Sequence, residues 1–354
     1  MSVSITGAIY SGNPRDPLAI RYANGAFTIE PYIEDGDANY QFHMLVEIRN
    51  SGNAAARVNL EIDWNDEKYI RVRDQMYLGS GTEWKVIQGR IDGPVVKARV
   101  TVPPGKTLLG LHPAFRYDEH QRLLRRADAA GVKREVRGKS AAGTDIDMLD
   151  FGSPSAKRPT ILVLGRMHPY ETAGSYCAEA IADFLMGGSA RARAILKRFN
   201  VAVIPTCNPD GVEAGLGKRV APGGPNLVDG LGSDEPTAVT IRRTMDELRP
   251  VGLVDIHGWM HKDEDGIFIF DPPIAERFLK NFRAIKPDFG PARKWLEIDS
   301  TSEKRSGPPE LRGYCSRRLG AETMELSFGW RGRTIPAMRN CGRSAIIAFA
   351  SAVE

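Results

Sequence analysis

Two kinds of hydrophobic spacing divide this chain. Up to about residue 115 apolar and polar positions alternate in part, in the runs 40–48, 56–62 and 95–102. Turn-forming Asn50-Ser51-Gly52-Asn53 and Pro103-Pro104-Gly105 separate these runs. Period-two segments broken by such turns predict antiparallel strands, packed as an all-β sandwich. From residue 159 onward the pattern changes. Short apolar, β-branched runs at 160–164, 201–204, 253–256, 267–270 and 323–326 alternate with helically spaced runs at 172–186, 237–248, 274–284 and 334–352. That alternation predicts an α/β unit with a mixed central sheet flanked by helices. Between the two lie a helical connector and, over 136–150, a hairpin. The expected division is 1–115 and 116–354.

Composition narrows the class. The chain has 354 residues, enough for two domains, and 42% are hydrophobic, enough for a large core. Net charge is +4, with 48 basic residues interspersed among 44 acidic ones, so no nucleic-acid partner is expected. The run Arg122-Leu123-Leu124-Arg125-Arg126 reads as the solvated face of a helix. Cys177, Cys207, Cys315 and Cys341 form no Cys-x-x-Cys pair and sit in apolar surroundings. They read as core thiols in a reducing compartment. The start lacks a basic stretch followed by a long apolar run, and no stretch is long enough to span a membrane. A soluble cytoplasmic protein is expected.

Candidate chemistry gathers at the ends of the apolar runs. His168 and Glu171 lie in the turn after run 160–164, where open α/β sheets bind ligands. Imidazole and carboxylate three residues apart can share one metal ion, although a plain surface turn has the same spacing. His257 ends run 253–256 in the same way; on its own it also reads as a core histidine. Two histidines and a glutamate leave a fourth position open, which is a catalytic zinc arrangement. His261 follows the turn and reads as a wall residue. Glu325 is a carboxylate inside an apolar strand and the best candidate base for a metal-activated water, with Glu322 its competitor. Asp255 has the place of a residue that orients a ligand, or of a simple strand-end acid.

Four stretches in order carry a family resemblance: Gly165-Arg166-Met167-His168-Pro169-Tyr170-Glu171-Thr172, Asn208-Pro209-Asp210-Gly211-Val212, Asp255-Ile256-His257-Gly258 and Thr323-Met324-Glu325-Leu326-Ser327-Phe328. Together they resemble the zinc metallocarboxypeptidases, in particular the cytosolic carboxypeptidase-like branch and its bacterial relatives. The resemblance implies one Zn2+ per chain held by His168, Glu171 and His257, with Glu325 as general base and acid. It implies that Arg219 polarises the scissile carbonyl; otherwise Arg219 is a mobile loop charge. It also implies a peptide or protein C-terminus as substrate, and leaves oligomeric state open.

One stretch departs from the family. Where relatives read Asp-Leu-Asn-Arg, with the Asn-Arg pair clamping a terminal carboxylate, this chain has Val228 and Asp229 at the paired positions. An Asp there would repel such a group. Asn226 could substitute only in a shifted loop. Arg312 resembles an Arg that precedes the catalytic strand in cytosolic relatives, and reads equally as a surface residue at a helix start. The expected function is a metallocarboxypeptidase. The alternatives are a zinc amidase or deacylase that needs no free terminal carboxylate, and a catalytically silent metal-binding module.

Overall fold

A computed structural model describes residues 2–34, 41–65, 70–152, 158–258, 265–269, 272–285, 295–297 and 311–353. Residues 3–110 form two five-stranded sheets. One orders its strands Val3–Thr6, Leu45–Asn50, Gly105–Gly110, Gln75–Ser80 and Glu83–Gln88; the other Ile20–Ala23, Ala26–Ile29, Ala56–Asp63, Val95–Val102 and Arg90–Asp92. Alternation works as expected. Val58, Leu60 and Ile62 point inward and meet Val96, Val100 and Val102, while intervening Arg57 and Asn59 face out. The pairings are antiparallel except one, where Phe27 to Ile29 run parallel to Leu60 to Ile62. The chain crosses to the other sheet as Leu45–Asn50 between those two strands and so returns in its original direction.

The remaining chain builds an eight-stranded mixed sheet. From one edge it runs Lys133–Lys139, Asp145–Asp150, Asn200–Ile204, Thr160–Gly165, Gly252–His257, Glu322–Ser327, Asp265–Ile269 and Trp295–Glu297. The four middle strands are parallel. The hairpin expected over 136–150 is the antiparallel pair at one edge. Helices Thr172–Met186 and Ile335–Ala352 cover one face with Pro272–Ile285; Pro236–Leu248 lies against the other. Strands covered on both faces must be apolar throughout, which is why Thr160–Gly165 shows no alternation. The four cysteines are buried and none of them is in a disulfide. Among the described residues, no helix is long and apolar enough to cross a membrane.

The order of strands locates the site. After Thr160–Gly165 the chain adds Asn200–Ile204 on one side and then Gly252–His257 on the other. A crevice opens where the direction of winding reverses, outside the carboxyl ends of these strands. The sandwich closes against this end. Phe42 stacks on Tyr170 with ring centroids 5.1 Å apart, and Tyr170 is part of the sandwich core. The Tyr77 hydroxyl donates to the carbonyls of Trp330 (2.6 Å) and Arg333 (2.9 Å).

Candidate metal and catalytic site

The turn after Thr160–Gly165 is held by its own arginine. Arg166 is buried and takes a left-handed conformation, φ 63°. Its guanidinium donates to the carbonyls of Pro169 (2.5 Å) and Phe115 (3.0 Å), bracing the loop that carries His168. The following helix packs directly on the strand ends, since a Cβ on Gly174 would lie 2.5 Å from the Ile256 carbonyl oxygen. Glu171 stands at the N-cap of that helix, but its carboxylate makes no capping bond. It turns instead toward two imidazoles.

His168, Glu171 and His257 are buried, and their donor atoms lie within 4.8 Å of one another. His168 Nδ1 is 3.0 Å from Glu171 Oε1, and His257 Nδ1 is 2.6 Å from Glu171 Oε2. The far nitrogens are also engaged. His168 Nε2 meets Asn226 Oδ1 at 3.0 Å, and His257 Nε2 meets Asp255 Oδ2 at 2.9 Å. With a proton on each Nε2, both Nδ1 lone pairs and the carboxylate face one centre. That donor set repels itself unless a cation sits among it, and oxygen acceptors behind both imidazoles are what a metal-ligating histidine requires. The residues therefore fit a zinc ion.

The electrostatics agree. Burial pushes the Glu171 carboxyl up, but the two imidazoles outweigh it and hold the group well below the usual carboxylate range. Burial opposes charge on His257, yet Asp255 and Glu171 hold its imidazolium well above the ordinary histidine range. Two carboxylates around one imidazole make an environment that favours positive charge.

The other candidates take distinct places. Glu325 is half-buried beside Asp255 in the sheet register, and a carboxylate oxygen of it lies within 4.8 Å of a ring nitrogen of His257 and of a carboxylate oxygen of Asp255. Glu322 pairs with Gly252 at the far end of the strand, away from the crevice. Arg219 donates Nη1 to the Gly224 carbonyl (2.8 Å) and bridges Asn226 through the backbone. Asn226 is buried, accepts from His168 and from the Val228 amide, and donates to Asp229 Oδ2 at 2.9 Å. Val228 lies in the core under the sheet. Arg312 falls in the short helix Leu311–Gly313, with its side chain outside the described residues, as is His261. Sequence reading linked neither Asn226 to His168 nor Glu34 to this site. Glu34 is a buried carboxylate that accepts from the amides of Gly217, Lys218 and Arg219, and no spacing in the sequence signals it.

Known proteins resemble this chain in part of its sequence and in its fold. Residues 119–221 match the zinc carboxypeptidase family. Cytosolic carboxypeptidase 2 of Xenopus tropicalis is 30% identical over 146 residues, 37% of this chain but only 15% of that protein. Cytosolic carboxypeptidase 3 of Bos taurus is 30% identical over 125 residues, 12% of its length. The chain thus spans a small part of the curated relatives it matches first. The fold extends much further. A metallo-carboxypeptidase from Burkholderia cenocepacia superposes with a TM-score of 0.84 at 15% identity, covering 99% of both chains. One from Pseudomonas aeruginosa gives 0.79 at 14% identity, covering 98% of both.

Proposed function

From the chain's kinship with the zinc carboxypeptidases, seen in sequence over residues 119–221 and in fold over nearly its whole length, we propose that it is a zinc-dependent metallocarboxypeptidase. One observation carries the reading: three buried donor groups from the ends of two adjacent parallel strands converge within 4.8 Å. His168 Nδ1, His257 Nδ1 and the Glu171 carboxylate would hold the ion. When bound, zinc supplies a Lewis acid and a water of lowered pKa. Glu325 takes the proton of the attacking water and returns it to the leaving amine, a role its half-buried position beside His257 supports. Arg219 stabilises charge developing on the carbonyl oxygen, with its backbone bridged to Asn226 beside His168. The same reading makes the substrate a peptide or protein C-terminus, the compartment the cytoplasm, and 1–115 and 116–354 separate domains.

A second reading has its own observation. Val228 is buried in the core and Asp229 is bonded to Asn226, so neither position that clamps a terminal carboxylate in relatives offers a cation here. A zinc amidase or deacylase acting without a free terminal carboxylate would suit such a pocket. The test compares free-acid and C-terminally amidated peptides of one sequence, with and without a chelator. Chelator-sensitive cleavage of the free acid alone is expected. Preference for the amide would favour the second reading. Failure to turn over any peptide, with zinc bound at one per chain, would leave a silent metal-binding module.

A further inference from the structure

The loop 215–226, with glycines at 215, 217, 223 and 224, carries Arg219 to the crevice. Its anchor comes from the sandwich. Glu34 Oε2 accepts from the amides of Gly217 (3.1 Å) and Lys218 (2.8 Å), and Oε1 accepts from the amide of Arg219 (2.9 Å). The Glu34 residue is 1% exposed. Three consecutive amides aimed at one carboxylate form a backbone anion site, and bonds to an ionised acceptor are roughly twice as strong as neutral ones. Neighbouring contacts clamp the start of the loop. Asn13 Nδ2 donates to the Gly215 carbonyl (3.0 Å), and the Ser11 amide to that of Glu213 (3.1 Å). A Cβ on Gly215 would lie 2.0 Å from the Gly12 carbonyl oxygen, and φ there is 67°, so glycine is required.

On its other side the loop meets the metal residues. The Gly217 carbonyl accepts from the Tyr170 amide (3.3 Å), one residue before Glu171. The Arg219 carbonyl accepts from Asn208 Nδ2 (3.2 Å), and Arg219 bridges Asn226, whose Oδ1 meets His168 Nε2. We infer that Glu34 is a positioning residue: its carboxylate fixes segment 217–226, and with it the substrate side of the site. The sandwich thereby completes the catalytic crevice. This inference rests on the hydrolase reading above.

The test uses the full chain and Glu34→Gln. A carboxamide has one acceptor oxygen and sets an NH2 group against an amide N–H, so at least one bond is lost. Glu34→Asp keeps the charge but falls a methylene short, and guards against a Gln variant that fails to fold. The direct readout is hydrogen exchange at the Gly217, Lys218 and Arg219 amides, which needs no substrate. Exchange should rise about tenfold or more at these three amides, in keeping with the loss of a bond to a charged group. Zinc should stay at one per chain, and kcat/KM for the best peptide should fall about tenfold or more by the same reasoning. Glu34→Asp should recover part of both. Unchanged exchange would overturn the anchoring, and faster exchange with unaltered kinetics would overturn the positioning role. If the wild-type chain binds zinc but turns over no peptide, the hydrolase reading fails instead, and exchange alone decides what Glu34 holds.

Discussion

The proposed metal side and the proposed substrate side of this crevice are built on different plans. On the metal side, His257 ends a strand buried along its whole length, and His168 and Glu171 sit in a turn braced by buried Arg166. Each ligand is held by a neighbour that packing has already fixed. On the substrate side, Arg219 and Asn226 lie on a loop whose amides are tied to Glu34, a residue of the sandwich. Chemistry common to a family belongs on the rigid scaffold, where a misplaced ligand costs metal affinity. Recognition belongs on loops, which change without disturbing the sheet. Val228 and Asp229 follow that loop directly, with Val228 buried in the core under the sheet and Asp229 bonded to Asn226.

Substitutions on the two sides should therefore separate by what they lose. The largest effect is expected from His257→Ala, which should abolish stoichiometric zinc as measured by metal analysis, and hydrolysis with it. Retention of one zinc per chain would refute the ligand set. Glu325→Gln should keep the metal and lower kcat by about 10²–10⁴, the range for a general acid–base group. Full activity in a folded variant would remove Glu325 from the mechanism. Arg219→Ala should leave zinc in place and lower kcat by about 10²–10³, as loss of one oxyanion donor does. An unchanged kcat would reduce Arg219 to a tie for the Gly224 carbonyl. Asp255→Asn should weaken zinc binding about 10–100-fold through its bond to His257, measured by competition with a chelator. An unchanged affinity would mean that the bond does not orient the ligand.

The last prediction concerns acid stability, at the turn on which the loop rests. His43 is buried and its Nε2 donates to the Ser11 carbonyl at 2.8 Å. Burial, reinforced by the Arg166 charge, lowers its pKa from 6.5 to about 4. The unfolded chain therefore binds this proton more readily than the native one. This contribution leaves stability untouched above pH 6.5 and removes it as pH falls toward about 4. The full cost is about 3 kcal/mol by linkage. Denaturant midpoints of wild type and His43→Gln across that interval should converge at acid pH. Parallel curves would show that His43 does not carry the acid sensitivity.

Much of this was legible from local pattern. The runs at 160–164 and 253–256 are the middle strands Thr160–Gly165 and Gly252–His257, and run 172–186 is the helix Thr172–Met186. Both histidines stood at strand ends in the sequence and do so in space. Asn226 was harder to read. Its place in the sequence suggested substrate contact, while its amide is taken up by His168 and Asp229. Glu34 gave no signal, since an acid in the stretch Glu34-Asp35-Gly36-Asp37 resembles any surface residue until its burial is known.

The sequence by itself determined the elements, their order and the positions of the proposed metal-binding side chains. Hydrophobic period and strand-end placement are properties of a few consecutive residues. Tertiary structure decided how those side chains are held. Asn226 reaches His168 across 58 positions, and Glu34 reaches the amides of Gly217 and Arg219 across 183 and 185. Partners so distant meet only after both sheets have packed, because the burial that makes their hydrogen bonds strong does not exist before then.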